Sequence, residues 1–289
     1  MPTSAPFDRA LLAARRRRAL ARHPDGGGFL RAAVVADLAE RLTAVRRTFG
    51  RALDLGSGGR TAAALRGLGV GEVVRADVLA AEAAHGAPDV VVDEEALPFA
   101  AASFDLVVAT LTLQAVNDLP GALVQIRRVL KPDGLFLAAL LGGETLTELR
   151  TALIAAEAEL TGGAAPRVAP FGGLQDLAAL LQRAGFALPV ADVDRLTVRY
   201  DDLLALAGDL REAGVTSPLA ERPRTPLGRA VLMQAAALYG ERFADPDGRV
   251  RATFDVVSLS GWAPHASQPK PLAPGSATHR LADALKGGG

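Results

Sequence analysis

The chain contains no cysteine. That excludes disulfide bridges, thiolate-ligated metal and a cysteine nucleophile. Histidine is scarce, with only His23, His85, His265 and His279, and of these His23 alone stands in the His-x-Asp spacing of an iron facial triad, with Asp25. Aromatic residues make up 4% of the chain, so alanine, leucine and valine must build its core. Lysine occurs only at Lys131, Lys270 and Lys286 while arginine is abundant, which reads as a composition bias. No uninterrupted apolar run is long enough to span a bilayer. Neither sign of charge prevails, with 32 acids against 32 bases, so a general nucleic-acid binder is disfavoured.

At 289 residues, nearly half of them apolar, the chain can build one large α/β domain with insertions. Helical periodicity covers 7–22 and 29–48, split by the turn HPDGGG. The first helix is Arg-rich and acid-poor, which predicts an amphipathic helix with a solvated basic face. Strands are expected at 51–55, 72–77, 89–99, 103–113 and 135–143, with helices at 59–69 and 119–130 and a turn at KPDG. Further on come helices at 144–160, 174–185, 201–213 and 229–243, and strands at 190–200 and 250–263. The alternation implies βαβ units and a mostly parallel sheet. Its nearly continuous apolar strands suit burial on both faces, and ligands then bind beyond the strands' carboxyl ends.

The segment RALDLGSGGR at 51–60 ends a strand in a glycine turn. Counting from Gly56 gives Gly58 and then Thr61, so the third glycine of a dinucleotide fingerprint is missing. Asp54 beside the turn would repel a pyrophosphate but attract a cation. S-adenosylmethionine meets that condition, with a nucleoside, no phosphate and an ammonium. Asp54 is placed for the ammonium, with Gly56, Ser57 and Gly58 as the turn. Asp77, followed by Val78, ends the next strand where an acid accepts ribose hydroxyls. Asp93 and Glu94 end the third, where the adenine amine would lie, and Thr110 ends the fourth. The competing reading makes these acids turn formers or helix caps; three on successive strand ends beside a glycine turn favour the cofactor.

The order LDLGSG, AD, DEEALPF, SFDLVVATLTLQAVND and RRVLKPDGLFL over 50–140 resembles the class I S-adenosylmethionine-dependent methyltransferases. The resemblance implies a Rossmann-like, doubly wound, seven-stranded sheet whose last strand runs antiparallel. FDR at 7–9, LGGETLTELR at 141–150, PFGGLQDLAALLQRAGF at 170–186 and SLSGWAPHASQPKPLAPGSAT at 258–278 are similar to one narrower family. It is that of the mitochondrial complex I assembly factor 5, described as a methyltransferase and, for the human member, as a protein arginine hydroxylase. The chain departs from that family at Ser57, Gly59 and Arg60, where it shows a cysteine and then Arg-Gly, and at Gln114-Ala115, where it shows His-Trp.

The expected organisation is N-terminal helices over 1–49, a cofactor-binding domain over 50–263 with a helical insertion at 201–249, and a family-specific polar tail over 264–289. FDR so near Met1 suggests a bacterial-type, cytoplasmic relative. Catalytic candidates are His265 in the tail, and Asn117 and Asp118 past the fourth strand; Asp118 also reads as a helix cap, and Glu144 as a first-turn acid. No metal site, nucleic acid or membrane span is expected. The functions weighed are a methyltransferase on a small molecule or protein, an arginine hydroxylase acting on an iron–sulfur subunit of complex I, a malonyl-carrier-protein O-methyltransferase, and a non-enzymatic cofactor-binding assembly factor.

Overall fold

The computed structural model describes residues 5–23, 28–80 and 86–269. Residues 24–27 of the turn expected at HPDGGG (23–28) and the tail beyond Pro269 lie outside them. Seven strands form one sheet: β1 (Arg51–Leu55), β2 (Glu72–Asp77), β3 (Val90–Val91), β4 (Phe104–Thr110), β5 (Leu130–Gly142), β6 (Ala187–Tyr200) and β7 (Val250–Trp262), in the order β3-β2-β1-β4-β5-β7-β6. β1 to β5 pair in parallel, and β7 runs antiparallel to both β5 and β6.

Strand side chains alternate between faces. Leu53, Val107, Ala109, Phe136 and Ala138 join one core cluster, while Ala52, Leu106, Val108, Leu135 and Leu137 join the other. The first is covered by α4 (Leu119–Val129) and α6 (Leu174–Arg183). The second is covered by α2 (Phe29–Thr43), α3 (Arg60–Gly67), α5 (Thr147–Thr161), α7 (Leu203–Glu212) and α8 (Arg229–Phe243). A helix on each side of a parallel sheet is what its two-sided apolar strands require.

Four expected strands change. The fourth stops at Thr110, with Leu111 at φ 50°, and the sixth begins at Ala187. The third is only two residues long, because Asp93 turns back to bridge Ala96. β5 begins five residues earlier than expected: KPDG sits inside it as an irregularity between the Phe104 and Leu106 pairings, with Asp133 at φ 62°.

The first helix, α1 (Arg9–Arg22), lies against the carboxyl edge of the sheet and not on either face. Asp8 caps it, accepting from the Leu11 amide at 2.9 Å. Its entry is tied to a loop more than 200 residues later. The Asp8 amide donates to Pro218 O at 2.8 Å, the Ala220 amide donates to Pro6 O at 2.9 Å, and Arg222 pairs with Asp8 at 3.2 Å. The expected solvated basic face is only half right. Arg17 and Arg18 are exposed, but Arg9, Arg15 and Arg16 turn inward.

Candidate functional site

The turn after β1 needs its glycines. Gly56, Gly58 and Gly59 have φ of 75°, 69° and 87°, which side chains rarely adopt. A Cβ on Gly56 would stand 2.5 Å from Thr112, whereas one on Gly58 would meet nothing within 4 Å. Gly58 thus leaves its backbone open to a ligand.

Asp54 is buried beneath this turn. Its Oδ2 accepts from Ser57 Oγ at 2.5 Å and from the Ala62 amide at 3.0 Å. Its Oδ1 is buried with no partner among the described residues. Burial is the main cause pushing this carboxyl up to about 6; the two hydrogen bonds pull the other way. Ser57 Oγ also accepts from the amides of Gly59 and Thr61 at 3.1 and 3.2 Å. At the end of β4, Thr110 Oγ1 meets Thr61 Oγ1 at 2.8 Å.

Asp77 Oδ1 accepts from the Leu79 amide and its Oδ2 from Arg16, both at 3.0 Å. Val78 follows in the bend, half-buried. Asp93 and Glu94 divide sharply: the Glu94 side chain is 1% exposed and the Asp93 side chain 42%. Arg9 reaches both, and Thr112 donates to Glu94. Asp93 Oδ1 accepts from Arg9 and the Glu95 amide, each at 2.9 Å, and its Oδ2 carries no hydrogen bond among the described residues. Arg31 donates to Gly56 O at 3.4 Å and Thr110 O at 3.2 Å. Loss of solvent, with Arg16 adding repulsion, lowers its pKa to about 10. The structure therefore brings together Asp54, Gly56, Ser57, Gly58, Asp77, Asp93, Glu94 and Thr110 at one sheet edge, with Arg9, Arg16 and Arg31 laid across it. The sequence reading missed these arginines. Their signal was the seven-residue interval from Arg9 to Arg16, which puts both on one helix face.

The three catalytic candidates separate: Asn117 and Asp118 follow β4 at this same edge, where the amides of both donate to Glu95, and His265 lies at the opposite one. β7 runs antiparallel, so its end pairs Trp262 with Leu135 at the start of β5. His265 follows at that far edge, exposed, with Nδ1 2.7 Å from Ser267 Oγ. There Gln268 binds Asp133 Oδ1 and Ala263 O, each at 2.9 Å. The tail motif is a clasp. Its Gly261 is a packing glycine, since a Cβ there would come 2.9 Å from Phe186. Asn117 holds the N-terminal segment, accepting from the Phe7 amide at 2.8 Å and donating to Phe7 O at 3.2 Å. Asp118 caps α4 through the Gly121 amide at 2.8 Å. Glu144 donates its amide to Asp255 at 3.2 Å. Among the described residues no three His, Cys, Asp or Glu side chains gather to hold a metal ion, and no helix is long and apolar enough to cross a membrane.

The methyltransferase domain model matches residues 53–138, the segment that carries the acid-ended strands. The YcgJ protein of Bacillus subtilis shares the fold, at 18% identity and a TM-score of 0.55 over 81% of this chain and all of that one. A malonyl-acyl-carrier-protein O-methyltransferase of Methylovorus sp. (strain MP688) is 40% identical over 60% of this chain and 56% of its own length. The human protein named arginine-hydroxylase NDUFAF5, mitochondrial, is 41% identical over 94% of this chain and 81% of its own. A seven-stranded methyltransferase sheet, together with identity of that level over most of both chains, makes this protein a member of the NDUFAF5 family within the class I S-adenosylmethionine-dependent methyltransferases.

Proposed function

We propose that the chain binds S-adenosylmethionine at the ends of β1 to β4 and methylates an acceptor lodged beside it. The observation that carries this reading is the orphaned Oδ1 of Asp54. A buried, unpaired carboxylate oxygen is costly, and an ammonium would satisfy it. In this reading Asp54 holds the ammonium, the open backbone at Gly58 admits the adenosyl group, and Asp77 takes the ribose hydroxyls. Asp93, through its unbonded Oδ2, takes the adenine amine. Ser57 and Thr110 act by holding the turn against β4. The bound cofactor supplies an electrophilic methyl on a sulfonium, whose transfer depends mainly on alignment. Arg16 sits on Asp77, so the ribose must displace it.

Calorimetric titration with S-adenosylhomocysteine tests the cofactor assignment. Saturable one-to-one binding that Asp77→Asn weakens supports it. Absence of binding to the folded chain sinks it.

The name of the arginine-hydroxylase relatives favours a second reading, hydroxylation of an arginine, and the resemblance implies an iron–sulfur subunit of complex I as the protein substrate. Such a step draws on an oxidant and a redox centre. Peptide masses of that subunit from source cells with and without the gene separate the readings. Loss of one oxygen from an arginine supports hydroxylation, and loss of a methyl supports protein methylation. An unchanged subunit points to a small-molecule acceptor.

A further inference from the structure

A cavity of about 600 Å³ opens beside the cofactor edge, between α1, the ends of β4 and β5, α5, α7 and the loop at 215–227. That volume suits a small organic ligand. Its walls are chiefly leucine, with Leu111, Leu141, Leu146 and Leu149 among them, and seven arginines. None of the lining residues is Asp, Glu, His, Lys or Tyr.

The arginines fall into three sets. Arg16 and Arg31 stand at the cofactor end, on Gly56 O. Arg167 and Arg222 are paired with Glu157 and Asp8. Arg15, Arg211 and Arg224 form no salt bridge among the described residues, although the Asp8 carboxylate acts on Arg15 and Arg224 through space. Arg15 is half-buried and donates only to the carbonyl oxygens of Thr216 and Ser217. Two further polar atoms in these walls, Ser217 Oγ and Gln114 Oε1, are buried without a hydrogen bond among the described residues.

We infer that the cavity takes an apolar carboxylic acid as its anion, the chain among the leucines and the carboxylate toward the unpaired arginines. A guanidinium fork matches a carboxylate bidentately. An arginine side chain would instead enter among like charges with no acid to receive it. The walls also hold no general base, and this acceptor needs none. A carboxylate oxygen accepts the methyl on a lone pair it already carries; the O–CH3 bond forms, the donor's methyl–sulfur bond breaks with its electron pair going to sulfur, and no proton leaves. The inference rests on the transferase reading for the bound acid's role as acceptor.

The test is calorimetric titration of the full chain with dodecanoate, dodecanamide and N-acetylarginine methylamide, with S-adenosylhomocysteine titrated in parallel. Dodecanoate should bind at least about tenfold more tightly than dodecanamide, the effect of one hydrogen-bonded charge. Arg224→Gln, at an exposed position without a hydrogen bond, should reduce that preference, and Arg15→Gln should reduce it further. Equal binding of the acid and the amide, or tighter binding of the arginine derivative, overturns the inference while intact S-adenosylhomocysteine binding leaves the cofactor reading standing. Dodecanoate preference without S-adenosylhomocysteine binding upholds the cavity's assignment and removes the transferase reading.

Discussion

Replacing Asp54 with asparagine should stabilise the protein while weakening its hold on the cofactor. Both hydrogen bonds to Asp54 end on Oδ2, and Oδ1 has none. An asparagine can keep its carbonyl oxygen toward Ser57 and Ala62 and place its amide where the orphan oxygen stood, so no contact is lost and a buried charge disappears. The carboxyl titrates near about 6 in the fold against an ordinary 3.8; that difference corresponds to about 3 kcal/mol. The folded pKa is raised, so the ionised group destabilises the fold above about pH 6. The wild-type chain therefore gains stability as pH falls from 6 toward 4. Asp54→Asn should exceed the wild type by about 3 kcal/mol at pH 7.5, and the gap should close near pH 4. Urea denaturation across that range measures it. S-adenosylhomocysteine affinity should fall at least about tenfold with the loss of a charged partner. A variant less stable than the wild type, or a gap independent of pH, would refute the buried-charge account.

Three other outcomes follow from the same geometry. Asp77→Asn should weaken cofactor binding by about tenfold to a hundredfold, the range for one charge-assisted hydrogen bond, as calorimetry would show; unchanged affinity would remove Asp77 from the ribose. Arg16→Ala frees Asp77 from a nearly buried ion pair, with side chains 14% and 8% exposed, so affinity for the cationic cofactor should rise by about tenfold, and a fall would mean that Arg16 itself holds the cofactor. Gly56→Ala drives a Cβ to 2.5 Å from Thr112 at a φ of 75°. It should cost about 1–3 kcal/mol in urea denaturation, and an unchanged midpoint would contradict the close approach.

The acids and glycines of the site were legible because their signals are local. A buried strand, a glycine turn and an acid at the strand end occupy ten consecutive residues, and the parallel sheet then sets successive strand ends side by side. The inward arginines were not legible in the same way. Helical spacing puts Arg9 and Arg16 on one face, but only docking against the sheet edge decides whether that face meets water or Asp77. His265 shows a different limit. The antiparallel last strand was expected, yet its direction carries the tail to the far edge, and spacing along the chain does not show that reversal. The two-residue β3 likewise leaves neighbouring acids in different environments, Glu94 buried and Asp93 half-buried.

The clasp between the first helix and the loop at 217–222 sets an order of events during synthesis. Its halves are separated by more than 200 residues, as the 214 positions between Asp8 and Arg222 illustrate. At typical translation rates of 5–20 residues per second, roughly 10–40 s pass between their emergence. The strands ending in Asp54 and Asp77 emerge early in that interval, before the loop that seats Arg16 above them exists. Arg9 and Arg16 leave the ribosome before either acid, but the pairing of Pro6 and Asp8 with residues 218–220 that anchors their helix forms only at the end of that interval.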